Sequence, residues 1–154
     1  MGVEESKEML FWTKEEYLKF AEEMMDKPLS YYAFEMLYWC GIREGELLAL
    51  TPADFDFDNQ TVTINKSYQR LKGRDVITSP KTKKSNRIIK MPQFLSEEME
   101  DCMKLYYSLK PTDRLFPVTK HYLSHEMDRG CKAAGVKRIR IHDLRHSHVS
   151  LQLF

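Results

Sequence analysis

Apolar residues recur at helical spacing near the start of the chain, after a Thr13–Glu16 pair that has the spacing of a capping box. This pattern predicts a helix from about Thr13, which we expect Pro28 to end. Residues 31–40 are apolar at nearly every position, which predicts a second helix that is buried, with Gly41 as its C-terminal cap.

In the middle of the chain the hydrophobic pattern changes from helical spacing to alternation. Residues 54–57 and 61–64 alternate around a polar turn, and two further apolar runs follow at 76–78 and 87–91. A basic loop, residues 80–86, joins the last two runs. The pattern predicts a small antiparallel sheet of three or more strands, with the basic loop at the tip of a hairpin.

Helical patterns lie on both sides of these strands. Helices are expected over residues 44–50, 96–109 and 119–134, and a last helix is expected to begin at His142. Strands gathered in the middle with helices before and after them are typical of an α+β domain. We therefore expect helices around one antiparallel sheet of about three strands.

The composition is that of one globular domain. Of the 154 residues, 42% are hydrophobic and 31% are charged, which excludes a disordered chain. No apolar run approaches the roughly 20 residues of a membrane helix, and the acidic start is unlike a signal peptide. The cysteines at 40, 102 and 131 are widely spaced and odd in number, which favours reduced thiols in a cytoplasmic protein.

The net charge of +1 conceals an uneven distribution. Residues 1–60 carry a balance of −9 and residues 96–128 one of −3, whereas residues 61–95 carry +8 and residues 129–154 carry +5. If the two basic blocks converge in space, they form a face that attracts a polyanion. Alternatively, the basic and acidic blocks pair with each other, and the sequence leaves both interpretations open.

Arg43 is the first candidate for chemistry, because it stands at the start of a short helix between a buried helix and two acids, Glu44 and Glu46. A guanidinium held by a carboxylate can be aimed at a phosphate. The alternative is a purely structural ion pair.

The basic loop is the second candidate. It places Lys81, Lys83 and Lys84 between two predicted strands, and Arg87 follows directly. Such a loop can contact the phosphates of a nucleic acid, or it can simply be a solvated loop.

The third candidate is a run with three histidines in seven residues. His142 and Arg145 are three residues apart at a helix start, whose free N–H groups favour an anion, so the pair could clamp a phosphate. An alternative is zinc, because His142 and His146 have the spacing of H-E-x-x-H. Asp143 replaces the glutamate of that motif, however, and Arg145 would bring a cation beside the metal.

These motifs, taken in order, resemble those of the tyrosine recombinases, the phage-type integrases. Residues 41–50 are similar to the motif of the first catalytic arginine, and residues 80–89 resemble the β-hairpin lysine motif. Residues 142–148 resemble the H-x-x-R box in the form common among integrases of mobile elements of Gram-positive bacteria. Residues 11–16 resemble the opening of the catalytic domain of this family. The resemblance covers essentially residues 1–154 and implies a mostly helical tyrosine-recombinase catalytic domain.

The resemblance implies cleavage and rejoining of double-stranded DNA through a 3′-phosphotyrosine link, without a metal or other cofactor. Arg43 and Arg145 would bind the non-bridging phosphate oxygens, and His142 would add a hydrogen bond or accept a proton. Lys81 would protonate the leaving 5′-oxygen, with Lys83 and Lys84 as the other lysines that could do so. The expected DNA contacts are Lys83, Lys84, Arg87 and His146.

The resemblance also implies that the chain is a fragment. An N-terminal core-binding domain and a C-terminal segment with the tyrosine nucleophile are expected to lie outside it. All eight tyrosines precede the H-x-x-R box: Tyr17, Tyr31, Tyr32, Tyr38, Tyr68, Tyr106, Tyr107 and Tyr122. We therefore expect the fragment to be inactive alone, as a monomer or an artefactual dimer. The whole protein is expected in the cytoplasm, encoded by a bacterium, a phage or a mobile element, and assembled as a tetramer on DNA.

Two alternatives belong to other classes of function. The chain could be a recombinase remnant that binds DNA without cutting it. It could also be a zinc hydrolase that uses His142 and His146.

Overall fold

The computed structural model describes residues 10–79 and 86–153, with side chains through Val149. Within these ranges about half of the chain is helical, and five short strands form two sheets. The helices are α1 (Lys14–Met24), α2 (Pro28–Cys40), α3 (Glu44–Ala49), α4 (Gln93–Lys104), α5 (Lys120–Ala134) and α6 (Asp143–Leu153). The strands are β1 (Phe55–Asp56), β2 (Thr61–Ile64), β3 (Ser67–Leu71), β4 (Arg74–Thr78) and β5 (Arg87–Lys90). None of the helices described is long and apolar enough to cross a membrane.

The first helix begins as predicted. The hydroxyl of Thr13 accepts the N–H of Glu16 at 3.2 Å, and the Glu16 carboxylate accepts the N–H of Thr13 at 2.9 Å, which completes the capping box. The expected role of Pro28 is wrong, because α1 ends earlier, at Met24, and Pro28 is the first residue of α2. Proline fits this position because the first helical residues need no N–H partner within the helix.

Helix α2 lies at the centre of the protein, packed against α1, α4 and α6. Aromatic rings fill the contact with α1: Phe20 lies 4.9 Å from Phe34, edge to face, and Tyr17 stacks on Tyr38 at 3.9 Å. Each of these side chains is fully buried, and burial of one such ring contributes about 1.5–3 kcal/mol. Helix α2 is therefore the rigid support for the turn at Gly41, which caps it with φ of 65° as predicted.

The predicted three-stranded antiparallel sheet is present, with the order β1-β2-β5. The expectation that residues 76–78 belong to it is wrong, because β4 pairs with β3 in a separate hairpin. Lys72 and Gly73, with φ of 50° and 76°, form the turn of that hairpin. The described strands on either side of the basic loop therefore lie in different sheets, and residues 80–85 of the loop itself are outside the described residues.

The later helices differ from expectation mainly at their ends. Helix α4 starts directly after Pro92 and stops at Lys104, so it lies earlier than the predicted 96–109. Helix α5 ends at Ala134 as predicted but starts at Lys120, one residue late, because Thr119 is its N-cap and accepts the N–H of Tyr122 at 3.3 Å. Helix α6 starts one residue after His142, which therefore precedes the helix.

Trp12 fixes α6 to the start of the domain. Its backbone N–H donates to the hydroxyl of Ser147 at 2.9 Å, and its indole N–H donates to the carbonyl of Lys137 at 2.9 Å. Because Trp12 is 1% exposed, the bond to Ser147 is shielded from water, whereas the bond to Lys137 is partly buried. The bond to Ser147 holds Trp12 to the helix that carries Arg145.

Candidate active site

Arg43 is placed by the left-handed turn at Gly41, which leads the chain from α2 into α3. Arg43 precedes the first residue of α3, and its backbone N–H donates to Oε1 of Glu46 at 2.8 Å. Its Nη1 lies 3.5 Å from Oε2 of Glu46, and 53% of its side chain remains exposed. The guanidinium is thus tethered to the protein but open to solvent.

Glu46 is the buried anchor of the site, with a side chain only 6% exposed. Both of its oxygens accept bonds from Arg87, Nη1 to Oε2 and Nη2 to Oε1, each at 2.9 Å. Burial opposes ionisation of Glu46, but the hydrogen bonds from Arg87 and Arg43 outweigh it and hold the pKa of the carboxyl below its ordinary value. Glu46 is therefore a fixed negative charge.

Arg145 approaches the same cluster from the first part of α6 and is partly buried. Burial is the largest cause of a lowered pKa for Arg145. The positive charges of Arg43 and Arg87 lower the pKa further, and the negative charge of Glu46 partly offsets them. Independently, His148, three residues after Arg145, packs against Gly41, two residues before Arg43. The start of α6, which carries Arg145, therefore lies beside the turn that leads into Arg43.

His148 fastens α6 to the turn before Arg43. Its Nδ1 lies 3.0 Å from the carbonyl oxygen of Tyr38, as the donor N–H of a neutral ring. Burial is the largest cause of a lowered pKa for His148, which favours this neutral form. The ring lies so close to Gly41 that a Cβ there would be 2.5 Å from its Cδ2. The sequence placed His148 within the H-x-x-R box but gave no sign of this contact.

His142 is exposed and lies beside a cleft of about 900 Å³ that Glu44, Lys120, His121 and Arg140 also line. Partial burial and then the charges of His146 and Arg145 lower the pKa of His142, so the imidazole is neutral near pH 7. In the same cleft burial raises the pKa of Glu44 to about 7. The charge of Arg145 thus acts on His142.

The described residues offer no set of ligands for the zinc interpretation. The rings of His142 and His146 are 5.5 Å apart and perpendicular, while Arg140 donates two side-chain bonds to Asp143, at 2.9 and 3.1 Å. Within the described part of the chain no group of three His, Cys, Asp or Glu residues could hold a metal ion.

Both interpretations of the charge blocks hold in part. The charge of Arg87, in one basic block, acts on Arg145, in the other, yet other cations pair with local acids, as Arg138 does with Asp128 at 2.5 Å. The three loop lysines expected at the site, Lys81, Lys83 and Lys84, lie outside the described residues.

Comparison with known proteins identifies the family of the chain. Residues 11–152 match the family model described as the phage integrase family. The ICEBs1 integrase of Bacillus subtilis strain 168 is 31% identical over 163 aligned residues, which cover 94% of this chain and 43% of that protein. The chain therefore spans less than half the length of that relative.

Solved structures share the fold. The Tn1549 transposon integrase, in complex with a circular intermediate DNA, superposes with a TM-score of 0.83 at 22% identity, over 96% of this chain and 54% of that one. XerA recombinase superposes with a TM-score of 0.74 at 20% identity, over 94% and 49%. The family match, the similar integrase and the shared fold lead to one conclusion: the chain belongs to the phage integrase family of tyrosine recombinases.

Proposed function

We propose that the protein to which this chain belongs carries out site-specific recombination of double-stranded DNA, and that the chain supplies the charged part of its active site. The observation that carries the proposal is the packing of α6, the helix of Arg145, against the turn before Arg43, whose guanidinium lies beside the buried carboxylate of Glu46. Three guanidinium groups against one carboxylate leave an excess of positive charge, as a phosphate site requires.

The proposed role of the arginine pair is to bind the two non-bridging oxygens of the scissile phosphate. Negative charge spreads over these oxygens during phosphoryl transfer, and fixed cations beside them lower the barrier. Burial and then the positive charge of Arg43 lower the pKa of Arg145, and an anion between Arg43 and Arg145 would offset both effects. Binding of the phosphate should therefore be cooperative between the two side chains.

In the proposed reaction a tyrosine oxygen attacks the phosphorus, the bond to the 5′-oxygen breaks, and a 3′-phosphotyrosyl link forms. Neutral His142 can hydrogen-bond to the phosphate or accept the proton of the tyrosine, a choice that its lowered pKa permits. Lys81 would give its proton to the leaving 5′-oxygen. Rejoining reverses these steps and needs no outside source of energy.

We propose that the attacking tyrosine comes from a part of the protein outside these 154 residues. Five tyrosine hydroxyls of this chain bond to groups away from the arginine cluster: Tyr17, Tyr31, Tyr68, Tyr106 and Tyr122. Tyr38 is buried against Tyr17, Tyr32 lies near Asp101 and Cys102, and Tyr107 is 98% exposed after α4. The whole protein would act as a tetramer in the cytoplasm, with Lys83, Lys84 and His146 as further DNA contacts.

The test is a nicked suicide substrate, which traps the covalent intermediate of the whole protein as a slow band on a denaturing gel. We expect a band that disappears in Arg43→Ala and in Arg145→Ala. It should persist in the control Arg70→Ala, because Arg70 is exposed and paired with Asp75. DNA binding without any covalent band from the whole protein would instead establish the non-cleaving remnant.

A further inference from the structure

Arg87 begins β5 on the face of the strand that turns toward the protein interior. Its partner across the ladder is Ile64 of β2, which is buried. Along β5, Arg87 and Ile89 are partly buried, whereas Ile88 and Lys90 are exposed. Because side chains alternate between the faces of a strand, Arg87 is directed toward α3 and Lys90 toward solvent.

Arg87 forms more hydrogen bonds to Glu46 than Arg43 does. It donates one bond to each carboxylate oxygen, both at 2.9 Å, in the parallel fork that makes arginine–carboxylate pairs strong. Arg43 contributes its backbone N–H to Glu46, while its guanidinium stays 3.5 Å away and 53% exposed. The two arginines thus share one acid unequally.

This unequal sharing has a consequence for Arg43. Without the fork, Glu46 would be a buried carboxylate short of two donors, a costly state that neighbouring groups move to satisfy. The Arg43 guanidinium, already 3.5 Å away, can supply those bonds by folding inward. It would then no longer face solvent, where a phosphate must bind.

We infer that Arg87 is a positioning residue, which saturates Glu46 and thereby keeps the Arg43 guanidinium free to bind a DNA phosphate. This indirect role replaces the expectation that Arg87 itself contacts DNA. It deepens the proposed function and rests on it where DNA is concerned, whereas the effect of Arg87 on Arg43 in the free protein does not depend on DNA.

A double-mutant cycle on affinity for a duplex oligonucleotide tests this role. Arg87→Lys keeps the charge but cannot form the fork. We expect it to weaken binding about threefold to tenfold in the wild-type background and less than twofold in the Arg43→Gln background. The control Lys90→Gln, on the outward face of the same strand, should act equally in both backgrounds. Wild-type affinity of Arg87→Lys, or additive effects of the Arg87 and Arg43 changes, would overturn the inference.

A second measurement needs no DNA. In the NMR spectrum of the free chain, the Nε–Hε peak of Arg43 should shift in Arg87→Lys and stay in place in Lys90→Gln. If Arg87→Lys does not fold, Arg87→Gln is read in the same way. An unmoved Arg43 peak in a folded variant refutes the positioning role. A shifted Arg43 peak, together with a whole protein that binds no DNA, upholds the positioning role and refutes the proposed function instead.

Discussion

Replacing Gly41 with alanine should destabilise the protein far more than the same replacement at Gly135. Both glycines end a helix with positive φ, 65° and 70°. A Cβ at Gly135 meets nothing within 4 Å, whereas at Gly41 it would lie 2.5 Å from Cδ2 of His148. The imidazole cannot step aside without losing its bond to the carbonyl of Tyr38.

The magnitude follows from two separate costs. The left-handed backbone costs an alanine about 1 kcal/mol at either glycine. The overlap with His148 adds about 1–3 kcal/mol at Gly41 alone, as overpacking does in a well-filled interior. Each kcal/mol lowers the melting temperature of a domain of this size by about 2–4 °C. We therefore expect a fall of roughly 4–16 °C for Gly41→Ala and about 2–4 °C for Gly135→Ala.

Calorimetric melting of both variants measures the difference. A third comparison isolates the overlap, because Gly41→Ala introduced into His148→Ala should cost only about 1 kcal/mol, as at Gly135. Equal melting temperatures for Gly41→Ala and Gly135→Ala would show that His148 does not press on the turn, and the explanation of how α6 is held beside Arg43 would be wrong.

Further predictions concern pH, the basic loop and the chain alone. Burial raises the pKa of Glu98 to about 8, so ionisation should cost the wild-type protein stability as the pH rises from about 4.5 to 8. Because the carboxyl is only partly shielded, Glu98→Gln should raise the free energy of unfolding by about 1–2 kcal/mol at pH 8 and make it vary less with pH. Chemical denaturation measures this, and a variant with the same pH profile as the wild type would contradict it. The double variant Lys83→Ala, Lys84→Ala should bind duplex DNA more weakly, and its binding should depend less on salt concentration. The control double variant Lys14→Ala, Lys19→Ala should change neither. An unaltered salt dependence would show that Lys83 and Lys84 do not contact phosphates. The 154-residue chain itself should form no covalent adduct with a suicide substrate, and an adduct would mean that one of its own tyrosines serves as the nucleophile.

Sequence reasoning succeeded where the structural signal is local. Thr13 marks the start of α1 and Gly41 the end of α2, because each cap is made by residues within a few positions of the helix end. It failed for β3, whose exposed Gln69 and Arg70 interrupt any apolar alternation. That strand is defined by its pairing with β4, which only the folded chain reveals.

The same distinction holds for the site. Arg43 and Arg145 could be selected from the sequence because each stands in a short recognisable motif. The partner of Arg87 could not, since it depends on the register of β5 against β2, which decides the face on which the guanidinium lies. The contact between His148 and Gly41 likewise arises only when α6 packs on the end of α2.

Whether Arg43 and Arg145 hold one phosphate between them can be seen in a crystal structure of this chain soaked in selenate, whose anomalous scattering locates the anion. We expect one selenium peak within hydrogen-bonding reach of both guanidinium groups, which is lost from crystals of Arg145→Gln. Separate peaks on the two arginines, or a shared peak that survives Arg145→Gln, would contradict it.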